Sequence, residues 1–186
     1  MVNVETKDAA DAPVETTADA APWTHGNLSL KRSVLKRIED AARAAYARDE
    51  EACGYLSGPL DQPLWLDEAV ELENLANKYH AIDPQNHPRT GRTYFKINGL
   101  KFEKAMRVAR DQGRAVKVFF HSHLDVGSYF SAEDAASMTM GGSAGPTYAL
   151  AYLVTAVDAG KVTNHRLFVW NDSGKDFVEA PLHVVD

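Results

Sequence analysis

The chain has one cysteine in 186 residues, Cys53, so it has no internal disulfide and nothing in it requires an oxidising compartment. It also has no apolar run near the ~20 residues needed to cross a bilayer, and its first residues lack the basic and apolar blocks of a signal peptide. These absences lead us to expect a cytoplasmic protein with no membrane partner. Basic residues are in the minority, 20 Lys and Arg against 26 Asp and Glu, for a formal charge of −6, and no segment is dominated by cations. Binding held by nucleic-acid phosphates is therefore excluded as an expectation. A single cysteine also rules out the paired-cysteine ligand set of the zinc deaminases.

The hydrophobic share is 45%, enough to bury the core of one domain at this length. The opening "MVNVETKDAADAPVETTADAAP" has almost no large apolar residues and no period that could bury a face, and it reads as a disordered acidic tail over residues 1 to 25. The domain is placed at 26 to 186. In "SLKRSVLKRIEDAARAAYARDE", Val34, Leu35, Ile38, Ala41, Ala42, Ala45 and Tyr46 fall on one helical face, with Ser29 or Ser33 as the cap. "ACGYLSG" and "LWLDEAVELEN" read as a strand hairpin, residues 74 to 93 as a long loop, and "NGLKFEKAMRVARDQG" as a helix stopped by Gly113. Leu100, Ala105, Val108 and Ala109 form the expected buried face of that helix. "AVKVFFHSHL" is the strongest strand pattern. "TYALAYLVTAV" and "NHRLFVWN" give two more, and "KDFVEAPLHVV" one trailing edge strand. Strands in one central sheet with helices on its faces define an α/β domain of three layers.

The chemistry concentrates in "FFHSHLDVGSYFSAED". In a strand, His121 and His123 point to the same side, two residues apart, and two imidazoles so placed can lean onto one metal ion. Ser131 and Asp134 stand where a new helix should start. If the intervening loop returns that helix to the histidines, Asp134 supplies a third ligand and leaves a fourth position for water. Each element also has an ordinary reading: "SAED" is a capping box, H-x-H occurs without metal, and Cys53 is a small buried hydrophobe. A hydrolytic site further needs a carboxylate base, for which Glu51 is the candidate.

Together, His121, His123, Ser131 and Asp134 match the H-x-H-x7-S-x2-D pattern of the JAMM, or MPN-plus, metalloproteases, and Glu51 and Gly54 resemble that family's E-x-x-G strand. The similarity runs from about Leu28 to Val178 and is to the short prokaryotic members. It implies a cytidine-deaminase-like fold with a central mixed sheet, Zn2+ held by His121, His123 and Asp134, Glu51 as general base and acid, and Ser131 as a donor to the oxyanion. It also implies hydrolysis of a peptide or isopeptide bond after the Gly-Gly tail of a ubiquitin-like or sulfur-carrier protein. The alternatives are a non-catalytic MPN-like binding module and, behind it, a cysteine hydrolase built on Cys53. Leu124 and Phe130 stand where the family commonly has prolines, which removes two φ restraints from the loop before Ser131. Tyr79, His80 and Phe95 are candidates for shaping a channel, in which a substrate tail pairs with an exposed strand.

Overall fold

The structure, a computed structural model, describes residues 21 to 142 and 144 to 186. Its longest buried element follows from "RAVKVFFHSHL", a run with no strand breaker, which forms β5 (Arg114–Leu124) with every residue from Ala115 onward buried. Around it lie β1 (Leu28–Lys31), α1 (Arg32–Ala47), β2 (Cys53–Pro59), β3 (Trp65–Leu66), β4 (Glu68–Leu72), α2 (Ala76–Ile82) and α3 (Gly99–Asp111). After β5 come α4 (Ala132–Thr139), β6 (Ala151–Asp158), β7 (Lys161–Asn171), β8 (Asp176–Ala180) and β9 (Leu182–Val185).

The central sheet has the order β4-β2-β5-β6-β7-β8. Only β5 and β6 run parallel in it; the other neighbours are antiparallel, so the sheet is mixed as expected. On one face α1 packs Val34, Leu35 and Ile38 against Leu56, Val118, Phe120 and Leu153. On the other, Phe102 of α3 meets Phe119, Tyr152 and Val154. The two faces of β5 thus bury Phe120 and Phe119 on opposite sides, as strand alternation demands. A bulge at Lys117, opposite the Leu56/Ser57 step, shifts the register; the buried Lys117 ammonium donates to the carbonyls of Pro59, Gln62 and Trp65 at 2.7–2.9 Å.

Several expectations are corrected. A second sheet, β3-β1-β9, all parallel, stands beside the first. It takes in Ser29, so neither Ser29 nor Ser33 caps α1, whose N-cap position is Lys31 with no side-chain bond. The trailing strand is two strands, because Pro181 has no N–H to continue a ladder; β8 edges the large sheet and β9 pairs with β1. The long loop contains α2. In α3 the buried face is Phe102 with Met106 and Ala109, while Leu100 and Val108 are exposed, since Phe102 is the larger apolar group and sets the rotation. The tail boundary at residue 25 is too late: Ala21 and Trp23 are buried, in a 3-10 turn over Pro22–His25, and the Trp23 indole donates to Ala149 O at 2.8 Å. Residues 1 to 20 lie outside the described residues.

Gly54 is required by close packing. A Cβ there would lie 2.2 Å from Val70 O and 2.6 Å from the Phe120 ring, both fixed by the sheet. Gly54→Ala is expected to cost about 3 kcal/mol, measured by denaturant unfolding, as overpacking a rigid core does; a loss under about 0.5 kcal/mol would mean that β4 can yield.

Candidate metal centre

Strand alternation places His121 and His123 on the Phe119 face of β5. The chain then turns at Asp125, which has φ of 61°, and returns to start α4 beside them. Phe130 fixes that return by packing its ring against Phe177 at 4.3 Å and Phe168 at 5.3 Å. The loop therefore gains from an aromatic anchor the restraint that the missing prolines do not supply.

At the helix start both readings of "SAED" hold. Ser131 Oγ accepts from Asp134 N at 3.0 Å, and the Asp134 carboxylate accepts from Ser131 N at 2.8 Å, a complete capping box. The same carboxylate faces the histidines: Asp134 Oδ1 is 3.3 Å from His121 Nε2, Asp134 Oδ2 is 3.4 Å from His123 Nε2, and the two Nε2 atoms are 3.1 Å apart. All three side chains are buried. Burial alone would raise the Asp134 carboxyl, but the His121 ring beside it, with the His123 ring and the Ser131 hydroxyl, holds it well below the usual carboxylate range.

These separations suit a metal. Ligands 2.0–2.1 Å from a tetrahedral ion lie about 3.3–3.4 Å from one another. His123 Nδ1 is 3.0 Å from Gly127 O, an acceptor only, so its proton sits on Nδ1 and its Nε2 presents a lone pair. That lone pair, a second imidazole nitrogen and a carboxylate oxygen converge on one point, and a cation satisfies all three. His121 differs from His123: its Nδ1 has no hydrogen-bond partner, and its ring is placed by packing, with Phe95 4.9 Å away and Phe130 6.3 Å away. Among the described residues this is the group of His, Cys, Asp and Glu side chains with metal-ligand spacing.

Glu51 lies just beyond the last sheet bonds to the histidine strand. Cys53 is opposite His121, and Ser122 N donates to Ala52 O and Ala52 N to Ser122 Oγ. One residue further, past the ladder, Glu51 is buried near enough to Asp134 for the Asp134 charge to act on it. Glu51 is 5% exposed, and burial, then the charge of Asp134, pushes its carboxyl up to about 9, with Arg89 opposing. In the metal-free chain the folded state therefore holds this proton up to about pH 9, whereas the unfolded state releases it near the ordinary 4.5. Between those values folding binds a proton, so metal-free stability falls as pH rises. The melting temperature of the metal-free chain is expected to drop between pH 6 and pH 8, and more steeply than in Glu51→Gln; equal slopes in the two proteins would contradict a buried, proton-holding carboxyl.

Cys53 is buried, and its thiol is pushed up to about 12 by burial and by the charge of Glu51, the opposite of what a nucleophile needs. His80 and His87 belong to another group: His80 Nδ1 contacts His87 O at 2.7 Å, and Tyr79 packs on the His87 ring. Of the three residues proposed to shape a channel, only Phe95 touches the ligand set. Sequence reading gave no role to Phe130, Gly127, Arg89 or Tyr129. Arg89 pairs with Glu133 at 3.7 Å, and Tyr129 lies 5.2 Å from the His123 ring. The aromatic at 130 was visible as a departure from the family pattern; the other three gave no sequence signal.

The fold and these side chains define an α/β domain that brings two histidines and an aspartate together, buried, at metal-ligand spacing. The family model for prokaryotic homologs of the JAB domain matches residues 31–170. The chain belongs to this family, whose members include metalloproteases and inactive forms. No curated protein matches it. Among solved structures it is similar to a protein of Desulfitobacterium hafniense, with 21% identity, coverage of 86% of this chain and 93% of the other, and a TM-score of 0.60. A protein of Salinibacter ruber matches at 20% identity, 86% and 92% coverage and a TM-score of 0.56. These two likenesses bear on the fold. A JAB1/MPN domain protein of Archaeoglobus fulgidus also matches, at 20% identity, 86% and 100% coverage and a TM-score of 0.48. No helix among the described residues is long and apolar enough to cross a membrane.

Proposed function

We propose that this chain is a zinc-dependent peptidase or isopeptidase that cuts after the C-terminal Gly-Gly of a ubiquitin-like or sulfur-carrier protein. The observation that carries this reading is the convergence of His121, His123 and Asp134 at 3.1–3.4 Å, with Glu51 buried within reach of the Asp134 charge. Zinc, when bound, supplies Lewis acidity, making water nucleophilic near neutral pH and polarising a carbonyl. His121 Nε2, His123 Nε2 and an Asp134 oxygen would hold it. Glu51 takes the proton from the attacking water on its carboxylate and returns it to the departing amine. Its raised pKa in the metal-free chain is suited to this work, because a nearby cation favours the carboxylate while burial keeps it basic.

In the metal-free chain the one Ser131 hydroxyl proton goes to Asp134 Oδ2 at 2.7 Å; the hydroxyl has to turn from Asp134 to donate to an oxyanion forming at the N-terminus of α4, where the helix end also favours negative charge. Ser131→Ala is expected to lower kcat by about 10²-fold and to cost about 1 kcal/mol in stability through the lost cap. A stability loss with kcat unchanged would leave Ser131 a cap alone. An extended tail can pair with an edge strand, and β4, whose Leu72 is opposite Cys53, is the edge closer in the sheet to Glu51.

The test is to incubate the zinc-loaded full chain with a quenched fluorogenic peptide carrying one internal Gly-Gly, and to locate the cut by mass spectrometry. A single cut after the second glycine, abolished by a chelator, is the expected result. Binding of a Gly-Gly-tailed protein without any cleavage would transfer the chain to the non-catalytic members of its family.

A further inference from the structure

We infer that Asn74 is the positioning residue that sets Glu51 against the metal ligands; the inference rests on reading Glu51 as the general base. The Asn74 side chain uses all of its hydrogen-bonding capacity on four different backbone groups. Its Nδ2 donates to Glu51 O and to Tyr94 O, both at 3.0 Å, and its Oδ1 accepts from Ala76 N at 3.0 Å and Lys96 N at 3.1 Å. The amide orientation is fixed by its partners, since the reversed amide would set its oxygen against two carbonyls.

These four bonds join two segments distant in sequence that carry different parts of the site. Glu51 sits outside the ladder of β2, which begins at Cys53, so regular sheet bonding does not hold its backbone. It is held on both sides by the segment that follows β4: Glu51 N donates to Gly91 O at 2.7 Å, and Glu51 O accepts from Asn74. The stretch from Tyr94 to Lys96, fastened by the same Asn74, carries Phe95, whose ring lies 4.9 Å from His121. His121 has no hydrogen bond at Nδ1 and depends on that packing. One amide therefore ties the backbone of the base to the wall that orients a ligand ring. Asn77 reinforces the clasp, accepting from Gly91 N at 2.7 Å and donating to Glu50 Oε1 at 3.0 Å. Neither asparagine touches the ligand set; Asn74 bonds the Glu51 backbone directly and reaches His121 only by way of Phe95, so its main effect on chemistry passes through Glu51.

Asn74→Asp is the informative substitution. It keeps the shape and the acceptor half of the clasp and replaces the two donors by an oxygen facing Glu51 O and Tyr94 O. In the zinc-loaded full chain, it is expected to lower kcat on the quenched Gly-Gly peptide by about 100-fold, the effect of displacing a catalytic group by about 1 Å. KM and zinc content should stay at wild-type values. Amide hydrogen exchange should quicken at residues 51 to 53 and 94 to 96, and stay unchanged in β6. In a Glu51→Gln background, Asn74→Asp should cause no further loss, because a residue acting through another is not additive with it. Asn74→Ala, which removes the donors without introducing repulsion, gives the same pattern more mildly and serves if the Asp variant folds poorly. Full additivity with Glu51→Gln, or a loss of zinc and stability in step with activity, would make Asn74 merely structural. Exchange that quickens with kcat unchanged would overturn the positioning role. A wild-type chain that cuts nothing would instead remove the hydrolase reading on which the inference rests, an outcome distinct from a wild type that cuts and an Asn74→Asp that cuts equally fast.

Discussion

Glu51→Gln is expected to lower kcat by about 10²- to 10⁴-fold with zinc content unchanged, the range for removing a positioned general base. The substitution preserves shape and burial, so its effect isolates proton transfer. Glu51 carries no metal-ligand spacing to the other three residues, and its removal leaves His121, His123 and Asp134 converged. It also removes the carboxyl that burial holds protonated up to about pH 9 in the metal-free chain, so the variant should be no less stable than wild type at neutral pH. Kinetics and stability should therefore move in different directions. A variant that is inactive because it has lost zinc would assign Glu51 to the ligand set, and one with full activity would deprive the site of its base.

His121→Ala is expected to weaken zinc binding by about 100-fold or more and to abolish hydrolysis. If roughly 10 kcal/mol of binding is shared among three ligands, losing one removes about 3 kcal/mol of it. The readout independent of activity is thermal: zinc above its Kd is expected to raise the wild-type melting temperature, and this rise should disappear in the variant. His121 also separates from His123 in its consequences. Removing its ring leaves the buried Asp134 Oδ1 without the imidazole nitrogen 3.3 Å away, whereas His123→Ala leaves Gly127 O without its donor. A stranded charged oxygen costs more than a stranded carbonyl, so the metal-free His121→Ala chain should be the less stable of the two. The reverse order would mean that Asp134 finds another partner once the ring is gone.

The parts of this site carried by local sequence were legible without coordinates. Strand alternation puts His121 and His123 together, and the Ser131 to Asp134 spacing is a capping box in any helix that starts there. That Asp134 serves both as cap and as a group facing the histidines follows from the return of the chain after Asp125. Phe130 holds that return through contacts with β7 and β8 that no local pattern encodes. The central strand and most neighbours were readable from apolar runs. Leu28–Lys31 was not, because its four residues continue without a break into the helix and are held in a strand only by pairing with β3 and β9. Trp23 falls in the tail by sequence because it is a lone large apolar residue at the end of a stretch with no period, and its indole is bonded to Ala149, 126 residues away. Asn74 looked like a loop residue for the same reason, since each of its four partners is a backbone group with no side-chain signature.

The central claim is that one zinc site, formed by His121, His123 and Asp134, is responsible for hydrolysis. Its most direct test is to measure zinc per chain and hydrolysis of the Gly-Gly peptide in the same sample of full-length protein, as purified, after chelation, and after zinc is restored. Activity that falls and returns in proportion to bound zinc, in wild type but not in His123→Ala, is the result expected. Hydrolysis that persists in the zinc-free chain, or zinc bound equally well by His123→Ala, would contradict it.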